Sequence, residues 1–397
     1  METKFDLILK GGHIIDPASG INSSMDLAIS GGIIGLVEKD ISPERSNKII
    51  DVSGLLITPG LIDLHAHCFG YQASVYPDEL CLPFCTTTML DAGGSGWKTF
   101  DEFKDTVINT SITRVFALLN IVGGGMIEDH EQNVSDMDPE KTAEKILERR
   151  DMCVGVKVAH FMATSWEAVS RGRKAADLSK TFMMIDQNPI HNRTIDQMLT
   201  TYMKKGDVLT HVYAYGKPIL NKDGKVRDSY IKAREKGIKF DLGHGAGSFS
   251  FKMAEPAMSQ GFQPDTISTD HHRSSLLKCH ANMPECMTKM LALGMSLEDT
   301  IKKSTIEPAL QLGHPELGNL REGSQADVAI LKITEGDFGL TDNGSSGNRT
   351  YKTNKRINPY MTIKSGEVVW DKEGISREDW RSTPFPDVSF DNYKLKF

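Results

Sequence analysis

Apolar residues in the first 57 positions come in short runs separated by Gly, Asp and Ser, at 5–9, 13–15, 26–29, 33–37 and 49–52. Runs of that length, punctuated by turn residues, predict a string of short β-strands. From about Pro59 to Gly313 the rhythm changes. Compact β-rich runs at 61–65, 87–91, 115–120, 154–157, 182–186, 208–211, 239–242 and 266–270 alternate with longer helical stretches such as 139–150 and 228–236. Repeated strand–helix units bury their strands on both faces and predict a parallel sheet. Eight such runs in roughly 250 residues give the arithmetic of an α/β fold, the TIM (β/α)8 barrel.

Beyond residue 318 short strands return, at 318–320, 327–331 and 361–370, the last broken by the turn Ser365-Gly366. The simplest architecture pairs them with the N-terminal strands. That predicts a small discontinuous β-sandwich domain from 1–57 and 319–375, a barrel over 58–318, and an extended C-terminal tail over 376–397. The stretch 341–356, rich in Asn, Gly and Ser, is expected to be a surface loop.

Chemistry-bearing residues collect at the C-terminal ends of the barrel runs, where barrel enzymes build their sites. The first run closes on Asp63-Leu64-His65-Ala66-His67. Residues two apart on a strand point to the same side, so His65 and His67 present both imidazoles to one ligand position. His211 ends the run 208–211 and Asp270 ends 266–270, adding two ligand-type side chains to the same ring. Lys157 closes 154–157, where an ammonium would repel a bound cation. Carbamylation by carbon dioxide removes that repulsion and leaves an anion with two oxygens; a structural lysine paired with an acid is the plainer alternative.

On these residues the chain resembles the amidohydrolase superfamily over about 5–375. The motifs are 57–67, 85–93, 154–157, 206–211, 267–270 and 318–327. The stretch 240–249, containing Gly243-His244-Gly245-Ala246-Gly247-Ser248, is similar to the dihydroorotase-like deacetylase branch. The resemblance implies two divalent metal ions, usually zinc. His65, His67 and Asp270 would hold the more buried ion, His211 the other, and carbamylated Lys157 would bridge them. One ligand departs from the pattern. Asp186 stands where a histidine is expected at the end of the fifth strand. A carboxylate is an acceptable ligand to zinc and a better one to manganese or magnesium, so the second ion is expected to be weaker, different or absent. His191 replaces Asp186 only if its loop folds back.

Two adjacent ions hold an attacking hydroxide near neutral pH, and Asp270 is the candidate general base and then acid. His160, His244, Ser248, His271 and His272 lie on the same loops and are candidate substrate contacts, each histidine with an ordinary solvated role as its alternative. The expected activity is hydrolysis of a non-peptide carbon–nitrogen bond in an N-acyl or N-acetyl amino acid-like molecule or a cyclic amide. The alternatives are an esterase on an acylated hydroxy acid, by the same mechanism, and a catalytically degenerate barrel serving as an interaction or structural protein.

Composition narrows the partners. With 39% hydrophobic and 25% charged residues the chain falls in the ordinary globular range. Its 46 Lys+Arg against 53 Asp+Glu give a net charge of -7, which argues against nucleic acid or an anionic membrane as partner. A small-molecule amide or ester remains. Six scattered cysteines fit a reducing cytoplasm, and neither a secretory pattern nor a membrane-length apolar window stands out. A homo-oligomer is compatible with the resemblance and with a tail long enough to reach a neighbour.

Overall fold

Seven strands run in sequence order through one parallel sheet: Leu61–Ala66, Thr86–Gly96, Arg114–Asn120, Cys153–Ala159, Phe182–Asp186, Val208–Leu209 and Lys239–Phe240. The computed structural model describes residues 4–190, 193–342 and 349–382. Each neighbouring pair of these strands is parallel. Their burial explains the near-continuous apolar runs: every residue of Leu61–Ala66 and of Thr86–Gly96 is buried.

The run expected as an eighth strand, 266–270, carries only isolated bridges. Thr266 bridges Asp241 and His271 bridges Ala66, both in parallel sense. The amides of Leu242, His244 and Gly245 donate to the carbonyls of Thr266, Ser268 and Thr269, and that of His67 to His271. The segment therefore lies between the last strand of the sheet and the first, and the sheet curls back on itself. Regular pairing is interrupted by Asp270, whose φ of 48° is left-handed.

Helices cover the sheet where the sequence pattern placed them. The predicted helix at 139–150 forms as Pro139–Glu148, with proline at its first turn and the Asp138 side chain capping the Lys141 amide. Its buried side comprises Thr142, Ala143 and Ile146, the 3-4 spacing of one helical face. The second predicted helix forms as Asp228–Glu235.

The chain ends build two further sheets. One has four strands in the order Ile33–Glu38, Asp26–Ser30, Leu7–Lys10, Ile49–Asp51. The other has six: Glu367–Asp371, Arg349–Lys364, Val328–Asp342, Leu56–Pro59, His13–Asp16 and Ile21–Ser24. Early and late sequence meet where Leu56–Pro59 pairs antiparallel with Val328–Leu331. A single apolar cluster draws Leu9, Ile29 and Ile50 from the first sheet and Ile57, Val328 and Ile363 from the second.

Two sequence expectations are corrected here. Of the stretch 341–356, the described residues 341–342 and 349–356 are strand and not loop: they continue two long antiparallel strands that pair as far as Asp342 and Arg349. Cross-strand pairing satisfies their backbone, overriding a turn-rich composition. Residues 318–320 are not a strand, because Pro315–Gly318 forms a short 3-10 helix and the chain then turns. Of the tail expected over 376–397, only 376–382 lie among the described residues, where they form turns.

Candidate metal centre

The site is built from strand ends. His65 Nδ1 donates to Thr210 Oγ1 at 2.8 Å, and that hydroxyl donates onward to Asp241 Oδ2, also at 2.8 Å. This relay leaves the lone pair on His65 Nε2, which lies 3.0 Å from Lys157 Nζ and 3.7 Å from Asp270 Oδ1. Burial and the neighbouring Lys157 hold the His65 pKa down to about 3, so the ring is neutral. His211 follows strand Val208–Leu209 in a left-handed conformation, φ 61°, and donates Nδ1 to the Gly243 carbonyl at 2.6 Å. Its other ring nitrogen, Nε2, lies 3.0 Å from Asp186 Oδ2. Fixing one imidazole nitrogen as a donor so that the other stays a free base is how a fold prepares histidine for a metal.

Two overlapping clusters result. His65, Asp186 and His211 form one, and His65, His67 and Asp270 the other, with the ligand atoms of each within 4.8 Å of one another. His67 Nε2 is 3.0 Å from Asp270 Oδ1, while its Nδ1 is buried without a hydrogen-bond partner. Imidazoles interleaved with carboxylates are a donor set that suits divalent cations such as zinc, and the residues present fit that group.

Lys157 stands between the clusters, fully buried on strand Cys153–Ala159, its Nζ 4.0 Å from Asp186 Oδ2. Burial lowers its pKa, with Asp186 and Asp270 opposing and Lys217 reinforcing the shift. The room it occupies is made by Gly93: at φ 92°, a Cβ there would lie 2.6 Å from Lys157 Cγ.

Asp186 ends strand Phe182–Asp186. Burial alone would raise its pKa, but His211 and Lys217 outweigh that and hold the carboxyl well below its usual range. Asp270 behaves alike: burial opposes ionisation, and His65, His272 and His67 overcome it. The turn Gly243-His244-Gly245 lies against this carboxylate so closely that a Cβ on Gly245, φ 54°, would collide with Asp270 Oδ2.

The amidohydrolase family profile matches residues 248–369. A deacetylase from Agrobacterium fabrum (strain C58) is 30% identical over 369 residues, covering 89% of this chain and 89% of that protein. The chain belongs to the amidohydrolase family. The crystal structure of an adenine deaminase superposes with a TM-score of 0.85 at 28% identity, covering 93% of this chain and 100% of the other. That of a dihydroorotase gives 0.81 at 28% identity, covering 91% and 97%. As an amidohydrolase the protein is a metal-dependent hydrolase of carbon–nitrogen bonds other than peptide bonds. No helix among the described residues is long and apolar enough to cross a membrane.

This amidohydrolase presents its ligand-type residues to a cavity of about 200 Å³, whose wall includes His67, Asp186, His211 and Asp270. Of the expected substrate contacts, His160, Ser248 and His272 line it as well. His244 and His271 are not among its lining residues. His244 is fully buried with both ring nitrogens engaged, Nδ1 by the Gly245 carbonyl at 2.9 Å and Nε2 by Lys289 Nζ at 2.8 Å. His271 falls between two cavity-lining residues and is only 2% exposed. His191 lies outside the described residues.

Sequence reasoning missed Lys217, Glu131, Thr210 and Asp241. Lys217 Nζ holds Asp186 Oδ1 at 2.7 Å, and Glu131 Oε2 accepts from His160 Nδ1 at 2.8 Å. Lys217 lies in a bend and Glu131 in a three-residue 3-10 helix, with no periodic pattern to flag either. Thr210 was within reach, since it immediately precedes His211 at a strand end.

Proposed function

We propose that this amidohydrolase cleaves a small N-acyl or N-acetyl amino acid-like amide, or opens a cyclic amide, in the cavity bounded by the two clusters. The observation that carries this is that both ligand sets, which share the buried His65, reach one small cavity with His67, Asp186, His211 and Asp270 in its wall. In this reading His65, His67 and Asp270 hold one divalent ion, and Asp186 and His211 hold a second. Zinc suits both positions; manganese or magnesium suits the Asp186 position too. Lys157 joins them as a carbamate, for which the burial that favours its neutral amine is a precondition. When bound, divalent ions supply a water nucleophile near neutral pH and polarise the scissile carbonyl.

The protein's own part follows from the geometry. Asp270, held ionised by its histidine neighbours, takes a proton from the attacking water and returns it to the leaving nitrogen. His160, Ser248 and His272 line the remaining wall and orient the acyl substrate. The same reading treats the curled sheet as an eight-stranded (β/α)8 barrel over 58–318, flanked by a composite β-sandwich from 1–57 and 319–375.

The test is metal analysis of protein purified without chelator, beside a panel of N-acetyl amino acids, cyclic amides and matching esters. About two ions per chain are expected, with amide hydrolysis lost on chelation. The Asp270→Asn variant should be slower by about a hundredfold or more while keeping its fold. Protein that carries no metal and hydrolyses nothing on the panel would refute the reading and favour a scaffold.

A further inference from the structure

Asp186 and Lys217 form a buried ion pair, 7% and 1% exposed, with Oδ1 and Nζ 2.7 Å apart. Either charge alone at this depth would be costly, so the two are there as a unit. Lys217 is anchored beside the metal centre by backbone turns. The Ala214 amide donates to the His211 carbonyl at 3.0 Å, and the Lys217 amide to the Ala214 carbonyl at 3.1 Å. The Tyr230 hydroxyl donates to the Lys217 carbonyl at 3.4 Å. One short segment thus delivers both the ligand-type His211 and the ammonium that holds Asp186.

Two consequences follow for Asp186. The contact with Lys217 engages Oδ1 and leaves Oδ2 as the oxygen facing His211 Nε2, at 3.0 Å, His160 Nε2, at 3.3 Å, and Lys157 Nζ, at 4.0 Å. The ammonium also cancels the carboxylate charge, so the pair together is as neutral as a single imidazole.

We propose that Lys217 is a positioning residue that makes Asp186 a single-oxygen, charge-compensated metal ligand, so that residues 186 and 217 act together as the electrical equivalent of one histidine. The proposal rests on the metal-site reading above. It requires that the two positions be exchangeable only together. Replacing Asp186 with a neutral ligand strands the Lys217 ammonium beside the cation, where it repels the ion. Removing Lys217 at the same time relieves that repulsion.

The experiment is a cobalt titration of the metal-stripped, full-length chain, followed by visible absorption, for wild type, Asp186→His, and Asp186→His with Lys217→Met. Asp186→His should bind the weaker of its cobalt ions about tenfold or more less tightly than wild type, and the double variant should recover to within about tenfold of wild type and bind more tightly than the single. A merely structural lysine would not produce that recovery. Equal affinity in the single and double variants overturns the proposal. If Asp186→His does not fold, the double variant decides: affinity within about tenfold of wild type supports the pairing, and weaker binding overturns it. Wild-type protein that takes up no cobalt would overturn the metal-site reading itself, and this inference with it, whereas normal wild-type uptake with no recovery overturns this inference alone.

Discussion

A fully buried lysine whose ammonium faces no carboxylate closer than 4.0 Å among the described residues is an expensive arrangement unless its charge changes. Lys157 is in that position, 3.0 Å from a neutral imidazole nitrogen and pressed against Gly93. Desolvation pushes it toward the free amine, which is the form that captures carbon dioxide. Lys157→Ala should therefore lose bound metal and activity together, and a small carboxylic acid added at high concentration should restore part of both by occupying the vacated space. Metal content and turnover, each measured with and without the added acid, check this. A variant that keeps its full metal content would show that Lys157 is not a ligand.

Among the elements, the strand ends carry the chemistry, and a few ties hold them in register. Asp63 bonds the amides of His65 and Thr269 at 3.2 and 3.0 Å, joining the first strand to the segment that closes the curl. Burial raises its pKa to about 7 despite those bonds. Asp327 performs a similar task below the sheet. It is 1% exposed and binds Arg114 at 2.5 Å and Lys364 at 2.8 Å, linking the parallel sheet to the strand hairpin. Burial opposes its ionisation, but Lys364 and Arg114 prevail and hold its pKa below the ordinary 3.8. A carboxyl with a depressed folded pKa contributes stability above its unfolded value and loses it as pH falls through the folded one. Asp327→Asn should thus cost about 3 kcal/mol near pH 7, and the gap between its melting curve and that of wild type should begin to close as pH falls through 3.8 toward the lower folded value. Thermal melts of both proteins across pH 3 to 7 check it, on the order of the range where carboxylates titrate; a gap independent of pH would sink the ionic account.

For the molecule as a whole, the sheet region and the chain ends share one stability. Cys85 Sγ donates to the Ile330 and Met361 carbonyls, and Thr362 Oγ1 to that of Leu82. Leu331, Leu340 and Ile357 belong to the same apolar cluster as Met89 and Val115. A fragment of residues 58–318 would expose that surface and is expected to lack a cooperative melt, while the full chain melts in one transition. Calorimetry and near-ultraviolet circular dichroism of the two proteins decide it; a fragment with native-like tertiary signal would show the sheet to be autonomous. The same division separates what sequence alone determined from what required the tertiary structure. The strand–helix alternation and the ligand-type residues His65, His67, Lys157, Asp186, His211 and Asp270 were legible, because apolar runs and the residues that end them are local properties of the chain. The strands at 341–342 and 349–356 were not, because the composition there signals turns and only cross-strand pairing makes them extended. Nor were the partners that set each group's charge and direction. Lys217 reaches Asp186 across 31 positions, Glu131 reaches His160 across 29, and Lys289 takes His244 out of the cavity across 45. Such contacts follow from how the elements pack and leave no periodic trace in the sequence. Burial then makes each of them decisive, since a charge or ring nitrogen removed from water must take whatever partner the fold brings to it.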